Sequence, residues 1–386
     1  MGTRKVLSIY YPSPQALPYP PEEMVATQTA TLESGIPFAS TSSWKSRILA
    51  VVLLLGIAGY FWAGSRYPAL YKKYSQGTTL KVTGAITFGT VYAVDHSMPL
   101  QQRVWRTAVN WLQANEIGMT FGFFFGAAAL TFLAMLPRRR TENRYLNALI
   151  GAATGAPLGV CANCVAPIAR GLYASGMSTE SVLAAMFSSP SLNVIVLAMA
   201  FALFPLPVVG LKMVTVALLI LVVAPMVGAR QLQTAAVACP ISISGSETWG
   251  QAFRSTAWSF LKSFWYVFRI GAPFMVLAAL FGALIIELVP QNALMAHVTL
   301  IGIVAVALIG TFLPVPMAFD VAIAYLAMTR GVPLPYVVTL LCTLGIYSVY
   351  SFAMVGKTIS WKAAAAVYGA VAFLGVLAGL TMRLLG

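Results

Sequence analysis

Five stretches of this chain are apolar for about the length a helix needs to cross a bilayer, and nothing else in the sequence limits the fold as much. A spanning helix takes about 20 predominantly apolar residues. Runs at 47–63, 117–136, 208–227, 272–289 and 363–385 are the clearest candidates. With 59% of 386 residues hydrophobic and 9% charged, water-soluble classes are excluded.

The remaining charges set orientation. Lys and Arg number 24 against 10 Asp and Glu, a formal net charge of +14. Basic residues of this kind gather beside spans on the cytoplasmic side. No basic stretch is interleaved with aromatics, so nucleic acid is not an expected partner. Lys45 and Arg47 precede the first transmembrane helix, 45–64, and place the N-terminal tail in the cytoplasm. Residues 1–44 are rich in Pro, Ser and Thr and are expected to be disordered. They carry neither a signal-peptide core nor a myristoylation signal. Residues 65–116 read as an extramembrane loop holding an interfacial helix. In that helix Trp105, Ala108, Val109 and Leu112 oppose Arg103, Arg106 and Gln113. The span at 117–136 ends at Pro137 and Arg138, Arg139 and Arg140, the strongest cytoplasmic marker in the chain.

An internal repeat organises the rest. Trp105, Gly118 and Pro137 recur as Trp258, Gly271 and Pro290, shifted by 153. Gly155, Leu158, Val160, Ile168, Ala169 and Gly176 recur as Gly310, Leu313, Val315, Ile323, Ala324 and Gly331, shifted by 155. The copies run over about 99–228 and 252–385, as permease repeats at 117–228 and 252–386 joined by a polar cytoplasmic linker at 229–251. Arg230, Arg254, Lys262, Lys357 and Lys362 fit the cytoplasmic side only if each copy crosses the membrane an odd number of times. The copies are therefore expected to be inverted.

Both copies break at the same place. Segments 144–160 and 162–175 are each shorter than a bilayer span, with Gly155, Pro157 and Gly159 at the break; 298–315 and 317–330 correspond, with Pro314 and Pro316. Proline removes a backbone donor and clashes with the preceding turn. Such backbone is tolerated at membrane depth only where it lines a cavity or is covered by protein. Paired Gly/Pro-interrupted segments point to a transport site. Arg170 and Asp320 lie in these segments, one per copy, and are expected to gate or couple by approaching one another. In the alternatives, Asp320 carries a coupling proton and Arg170 attracts an anionic substrate, or Arg170 lies near a helix end and snorkels.

Cys161 and Cys164 stand at the first break. Such a pair is a dithiol redox centre, a pair of soft ligands or two small core residues; Cys239 and Cys342 read as structural. Four cysteines make no disulfide framework. His96 and His297 give no zinc spacing, and no metal site or cofactor is expected. In MFSSPSLNVIVLAMAF, Pro190 is bracketed by Ser188, Ser189, Ser191 and Asn193. These groups either re-satisfy the backbone that the proline frees or contact a substrate. Gly345, Tyr347, Ser348, Tyr350 and Ser351 hold the equivalent region of the second copy. The 16 methionines read as packing.

Cys161, Pro167, Gly176 and Ser189-Pro190-x-x-Asn193 resemble the bacterial predicted-permease family that contains the trivalent organoarsenical efflux permeases. That resemblance covers about 115–385. It implies a polytopic inner-membrane permease whose cysteines contact a small thiophilic solute. Family members often space the cysteines C-x-C, whereas here Asn163 falls where the second would stand and Cys164 is displaced by one.

The fold expected is an all-α polytopic membrane protein with about 9–11 transmembrane segments, two of them broken or re-entrant hairpins, in two inverted repeats. The function expected is that of a multi-pass inner-membrane permease, not an enzyme, for a small metalloid, metal or sulfur-containing solute. Cys161, Asn163, Cys164, Ser189, Pro190, Asn193 and Ser348 are the candidate substrate-binding residues. Its partners are that solute and the lipid bilayer, with no oligomeric state assigned. No G-x-x-x-x-G-K-[ST] occurs, so transport is not driven by a nucleotide site of its own. The rival readings are a membrane thiol oxidoreductase using the cysteine pair and a non-transporting assembly subunit.

Overall fold

Polar caps mark where the short helices begin. Asn143, Ser178, Asn193, Thr299 and Ser348 each precede a helix and accept a hydrogen bond from a backbone N–H of its first turn. The computed structural model describes residues 43–75, 91–95, 97–136, 142–231, 248–288 and 298–385. The tail before residue 43, the Arg138–Arg140 marker, most of the linker, His96, Cys239, Pro290 and His297 lie outside the described residues.

Among the described residues every regular element is a helix. α1 (Trp44–Phe61) passes through a π turn, Trp62–Arg66, into α2 (Tyr67–Ser75). The long α3 (Leu100–Ala134) is followed by four short helices, α4 (Arg144–Gly155), α5 (Ala162–Ala174), α6 (Thr179–Ser191) and α7 (Val194–Leu203). α8 (Leu206–Leu218) then runs through a second π turn into α9 (Ala224–Arg230). The order repeats with the long α10 (Trp249–Leu288), the short α11 (Leu300–Phe312), α12 (Phe319–Thr329), α13 (Leu334–Thr343) and α14 (Val349–Thr358), and the long α15 (Trp361–Leu385). Helices α6, α7 and α8 start at 179, 194 and 206, and α13, α14 and α15 at 334, 349 and 361, each 155 later. The repeat read from scattered identities is thus carried by the helices themselves.

The two long helices that open the copies are antiparallel. Arg103 of α3 pairs with Glu287 near the end of α10, Phe123 meets Phe268, Phe124 meets Phe264, and Thr131 donates to Ser263. As residue numbers rise along α3, those of its contacts on α10 fall. Equivalent helices running in opposite directions are what inverted copies require.

Each break belongs to a hairpin that enters and leaves at one end of the bundle. At the start of α4, Asn147 donates to Glu180 at the start of α6, and Ser181 donates back to the Asn147 carbonyl. Only four residues join the end of α5 to α6, so α4 and α5 begin and finish at the same level. In the second copy, Tyr336 at the start of α13 accepts from the N–H of Thr299, which caps α11. Again four residues join α12 to α13.

Five helices are long and apolar enough to cross a membrane, or six if α6–α7, bent by 48°, counts as one span. The pair α13–α14 holds the same place in the second copy.

One boundary differs from expectation. The stretch 105–113 is not a separate interfacial helix but the opening turns of α3, which continues through the span without interruption. No proline or capping residue separates Asn115 from Gly118. Of its polar face, Arg103 reaches Glu287 of the neighbouring helix together with Thr107, while Arg106 donates to the Ala93 carbonyl.

Glycine spacing sets a close helix contact near the first break. Gly118, Gly122 and Gly126 form one stripe of α3 against α5. A Cβ at Gly118 would come 2.7 Å from Cys164 Sγ, one at Gly122 would overlap the Cys164 carbonyl, and one at Gly126 would lie 2.8 Å from the Pro167 carbonyl. Small residues let two backbones meet where lipid supplies no hydrophobic drive.

Candidate functional site

The two breaks meet. The first runs from a short 3₁₀ turn at Ala156–Leu158 through Gly159, which is left-handed at φ 59°, to Cys161. Breaking the helix frees carbonyls, and side chains collect them. Trp62 Nε1 donates to the Pro157 carbonyl at 2.9 Å and Arg66 Nε to that of Gly159 at 2.6 Å. The π turn brings this pair onto one face of the first span. At the second break Trp111 Nε1 donates to the Pro314 carbonyl at 2.6 Å. Such coverage is what allows irregular backbone at membrane depth.

Asn163 joins the copies. Its Nδ2 donates to the Val315 carbonyl at 3.1 Å, and its Oδ1 accepts from Ser348 Oγ at 2.7 Å. Ser348 also caps α14 by accepting from the Ser351 N–H, while Ser351 Oγ donates to the Ala162 carbonyl at 2.9 Å. Asn163, Ser348 and Ser351 are all buried. Replacing Ser348 by alanine removes a buried bond and a cap together. The expected cost is about 2 kcal/mol, read by unfolding of the purified protein; a loss below about 0.5 kcal/mol would mean the seam is not held this way.

Cys161 and Cys164 are joined in a disulfide beside this seam. Cys161 also caps α5, its sulfur accepting from the Cys164 N–H at 3.1 Å. Asn115 Oδ1 lies 3.6 Å from Cys161 Sγ. That approach is a hydrogen bond only in the dithiol, because a disulfide sulfur has no proton to donate.

Pro190 and its neighbours serve the backbone. Pro190 lies in the last turn of α6. Asn193 Nδ2 donates to the carbonyls of Ser189 and Pro190, and its Oδ1 accepts from the Val196 N–H. Ser189 Oγ accepts from the Val160 N–H and donates to the Val160 carbonyl, both at 3.3 Å. Asn193 and Ser348 are equivalent, 155 residues apart and each capping its helix, but only Ser348 reaches the opposite copy.

Arg170 and Asp320, expected to face each other, take different partners. Asp320, in the first turn of α12, pairs with Lys212 of α8 at 2.5 Å; the side chains are 6% and 1% exposed. Arg170 instead lies on the ring of Tyr266, 4.1 Å from its centroid, and donates to the Tyr266 carbonyl and the Thr358 hydroxyl. The physical reason is reach: α5 points Arg170 toward the end where α14 stops, whereas Asp320 opens α12 at the break. Asp320 gains the favourable field of a helix N-terminus, and Lys212 completes its neutralisation.

Sequence reasoning missed two further buried charges. Lys212 is the single charged residue between 206 and 229, and its isolation in an apolar run was the available signal. Glu180 is buried at the start of α6, with one oxygen accepting from Asn147 and the other without a partner among the described residues. No group of three or more His, Cys, Asp or Glu that could hold a metal ion occurs among the described residues.

Residues 119–384 match the family model ArsP_1, described as predicted permease. The chain is also similar to the UPF0718 protein YraQ of Escherichia coli (strain K12), with 25% identity over 342 residues, covering 87% of this chain and 94% of that protein. No solved structure matches.

Proposed function

The chain belongs to the predicted-permease family, and from that premise we propose that it moves a small solute across the membrane at the seam between its two breaks. The observation that carries this reading is the bonding of Asn163 to Val315 and Ser348, which ties a re-entrant hairpin of one copy to the break of the other. Inverted repeats around such a site are a recurring transporter plan. Release of these bonds on one side and then the other would expose the seam alternately.

Cys161, Cys164 and Asn163 are the groups we assign to the solute, with Ser348 and Ser351 opposite. The solute is small and thiophilic, because soft sulfur ligands select soft partners. Binding requires the dithiol, since the disulfide holds both sulfurs in a covalent bond. Ser189, Pro190 and Asn193 form the hinge of the bent span and act on the solute through the backbone they hold. The Lys212–Asp320 pair is the coupling element, and its opening accompanies the change of access.

Orientation follows from the basic residues. Trp44 meets Trp249, Ser46 meets Ser255, and Ser360 donates to Gln231. These contacts bring Lys45, Arg47, Arg230, Arg254, Lys357 and Lys362 to one end of the bundle. We place that end in the cytoplasm of a bacterial inner membrane, with the N-terminus.

The test is flux of a trivalent arsenical into proteoliposomes under reducing conditions. Wild type is expected to transport; Asn163→Ala and the Cys161→Ser/Cys164→Ser protein are expected to lose more than about tenfold, a loss of roughly 1.4 kcal/mol in the barrier. Ser43→Ala, which removes the side chain that caps α1 by accepting from the Ser46 N–H, lies at the end of α1 away from Trp62 and Arg66 and keeps wild-type flux. Undiminished flux in both seam variants would move the solute elsewhere. The disulfide favours one second reading, a thiol oxidoreductase that cycles Cys161 and Cys164. It predicts that the purified protein catalyses exchange between an external dithiol, which reduces the Cys161–Cys164 bond, and an external disulfide, which takes the two electrons back from the pair; a permease does not show this.

A further inference from the structure

The two breaks are held by donors of different origin. With the offset of 155, Gly159 and Pro314 are equivalent positions. The Pro314 carbonyl accepts from Trp111 Nε1 at 2.6 Å, and the Gly159 carbonyl accepts from Arg66 Nε at 2.6 Å. Trp111 belongs to α3, the helix that opens the other copy. Its own equivalent on α10, 153 residues later, is Phe264. A phenyl ring has no N–H to donate, and Phe264 packs among Phe124, Phe260 and Phe268 instead. The repeat by itself therefore lacks, at the first break, the donor that it supplies to the second.

α1, which precedes both copies, makes good the loss. Phe61 at its end stacks on Phe121 of α3, with ring centroids 3.9 Å apart. A π turn, a feature that recurs at functional sites, follows at once, and from it Trp62 and Arg66 reach the Pro157 and Gly159 carbonyls. Among the described residues Arg66 has no acidic partner. Its other hydrogen bond goes to its neighbour Ser65 at 3.3 Å, and its guanidinium lies 4.5 Å from the Phe61 centroid. The charge is thus spent on a main-chain carbonyl of the break, in a bond stronger than one between neutral groups. Gly159 is left-handed at φ 59° and stands two residues before Cys161, so whatever holds its carbonyl holds the turn that leads to the cysteine pair.

We propose that Arg66 and Trp111 are paired latches, one for each break, and that α1 belongs to the moving machinery. Both are positioning residues: each acts through the carbonyl it holds. While both are closed, Cys161 and Cys164 are 2% exposed. Release of Arg66 frees the turn into Cys161. Release of Trp111 frees Pro314, the neighbour of the Val315 carbonyl that accepts from Asn163. As gates the latches rest on the transport reading; their hold on the cysteines does not.

The experiment is the rate of maleimide labelling of the reduced, detergent-purified full chain in a Cys239→Ser background, with each cysteine read by mass spectrometry. Cys342, fully buried in α13, is the internal reporter of unfolding. Arg66→Met and Trp111→Phe each remove the donor and little else. Both are expected to speed labelling of Cys161 and Cys164 by about tenfold or more, with Cys342 as slow as in wild type. Arg66→Lys fills much the same space as Arg66→Met but keeps a charged donor, and should restore most of the wild-type rate. Wild-type rates in either donor-less variant would overturn the proposal, and so would equal acceleration in Arg66→Lys and Arg66→Met. Acceleration of Cys342 in step with the pair would overturn it too, because the variants would then be unfolding. Faster labelling in a protein that carries no arsenical would leave the latches standing and remove the transport reading; normal flux with unchanged labelling would do the reverse.

Discussion

Lys212→Met is expected to destabilise the protein by about 3–5 kcal/mol, because it leaves the Asp320 carboxylate buried without its counter-charge. The two side chains lie 2.5 Å apart and are almost wholly shielded from solvent. Asp320→Leu alone should cost a similar amount for the mirror-image reason. The double variant Lys212→Met/Asp320→Leu should recover most of the loss, since a buried pair replaced by apolar side chains of like volume is often neutral or better. Unfolding in mixed micelles measures all three. Single variants as stable as wild type would mean that the two charges are solvated and not paired. The double variant also separates stability from use: on the transport reading it folds and does not transport.

Gly122→Val should remove the folded protein from the membrane almost entirely. Its Cβ would overlap the Cys164 carbonyl, a main-chain atom that cannot turn aside as a side chain can. Overpacking a well-filled site typically costs about 1–3 kcal/mol and occasionally more. Here the whole α3–α5 contact must separate, so the upper end of that range or beyond is expected. The matched control is Gly56→Val in α1, where a Cβ meets nothing within 4 Å. Yield and monodispersity on gel filtration give the comparison. A Gly122→Val protein that elutes like the Gly56→Val protein would show that α3 and α5 are not packed through this stripe.

Much of the architecture was legible because it rests on local chemistry. Apolar run length located the spans, and Gly155, Pro157, Gly159, Pro314 and Pro316 located the breaks, since each alters what its own backbone can do. The repeat was legible from a few identities because the offset holds at 153 through the opening span and at 155 from the break onward. Pairing was not legible in the same way. Arg170 and Asp320 were matched because they sit in equivalent segments, but partners are chosen by depth and reach. Asp320 is placed at a helix start and Arg170 near a helix end. Lys212 was overlooked as one charge in a long apolar run, and the Gly118, Gly122 and Gly126 stripe was hidden in a span read only for its hydropathy. Asn163 was named for its place beside the cysteines, while its bond to Val315, 152 residues away, needed the folded chain.

Two hairpins that enter from opposite ends and meet close the middle of the molecule with its own main chain. Val160, Asn163, Val315 and Ser348 are all buried at that closure. In electrical terms, on the transport reading, that closure is what would insulate the two sides at rest. A potential of 100 mV is worth about 2.3 kcal/mol for each elementary charge that crosses, and a membrane crowded with copies of this chain would keep that store intact. On the transport reading, whatever crosses must first break the bonds from Asn163 to Val315 and from Ser348 to Asn163, and each passage ends when they close again.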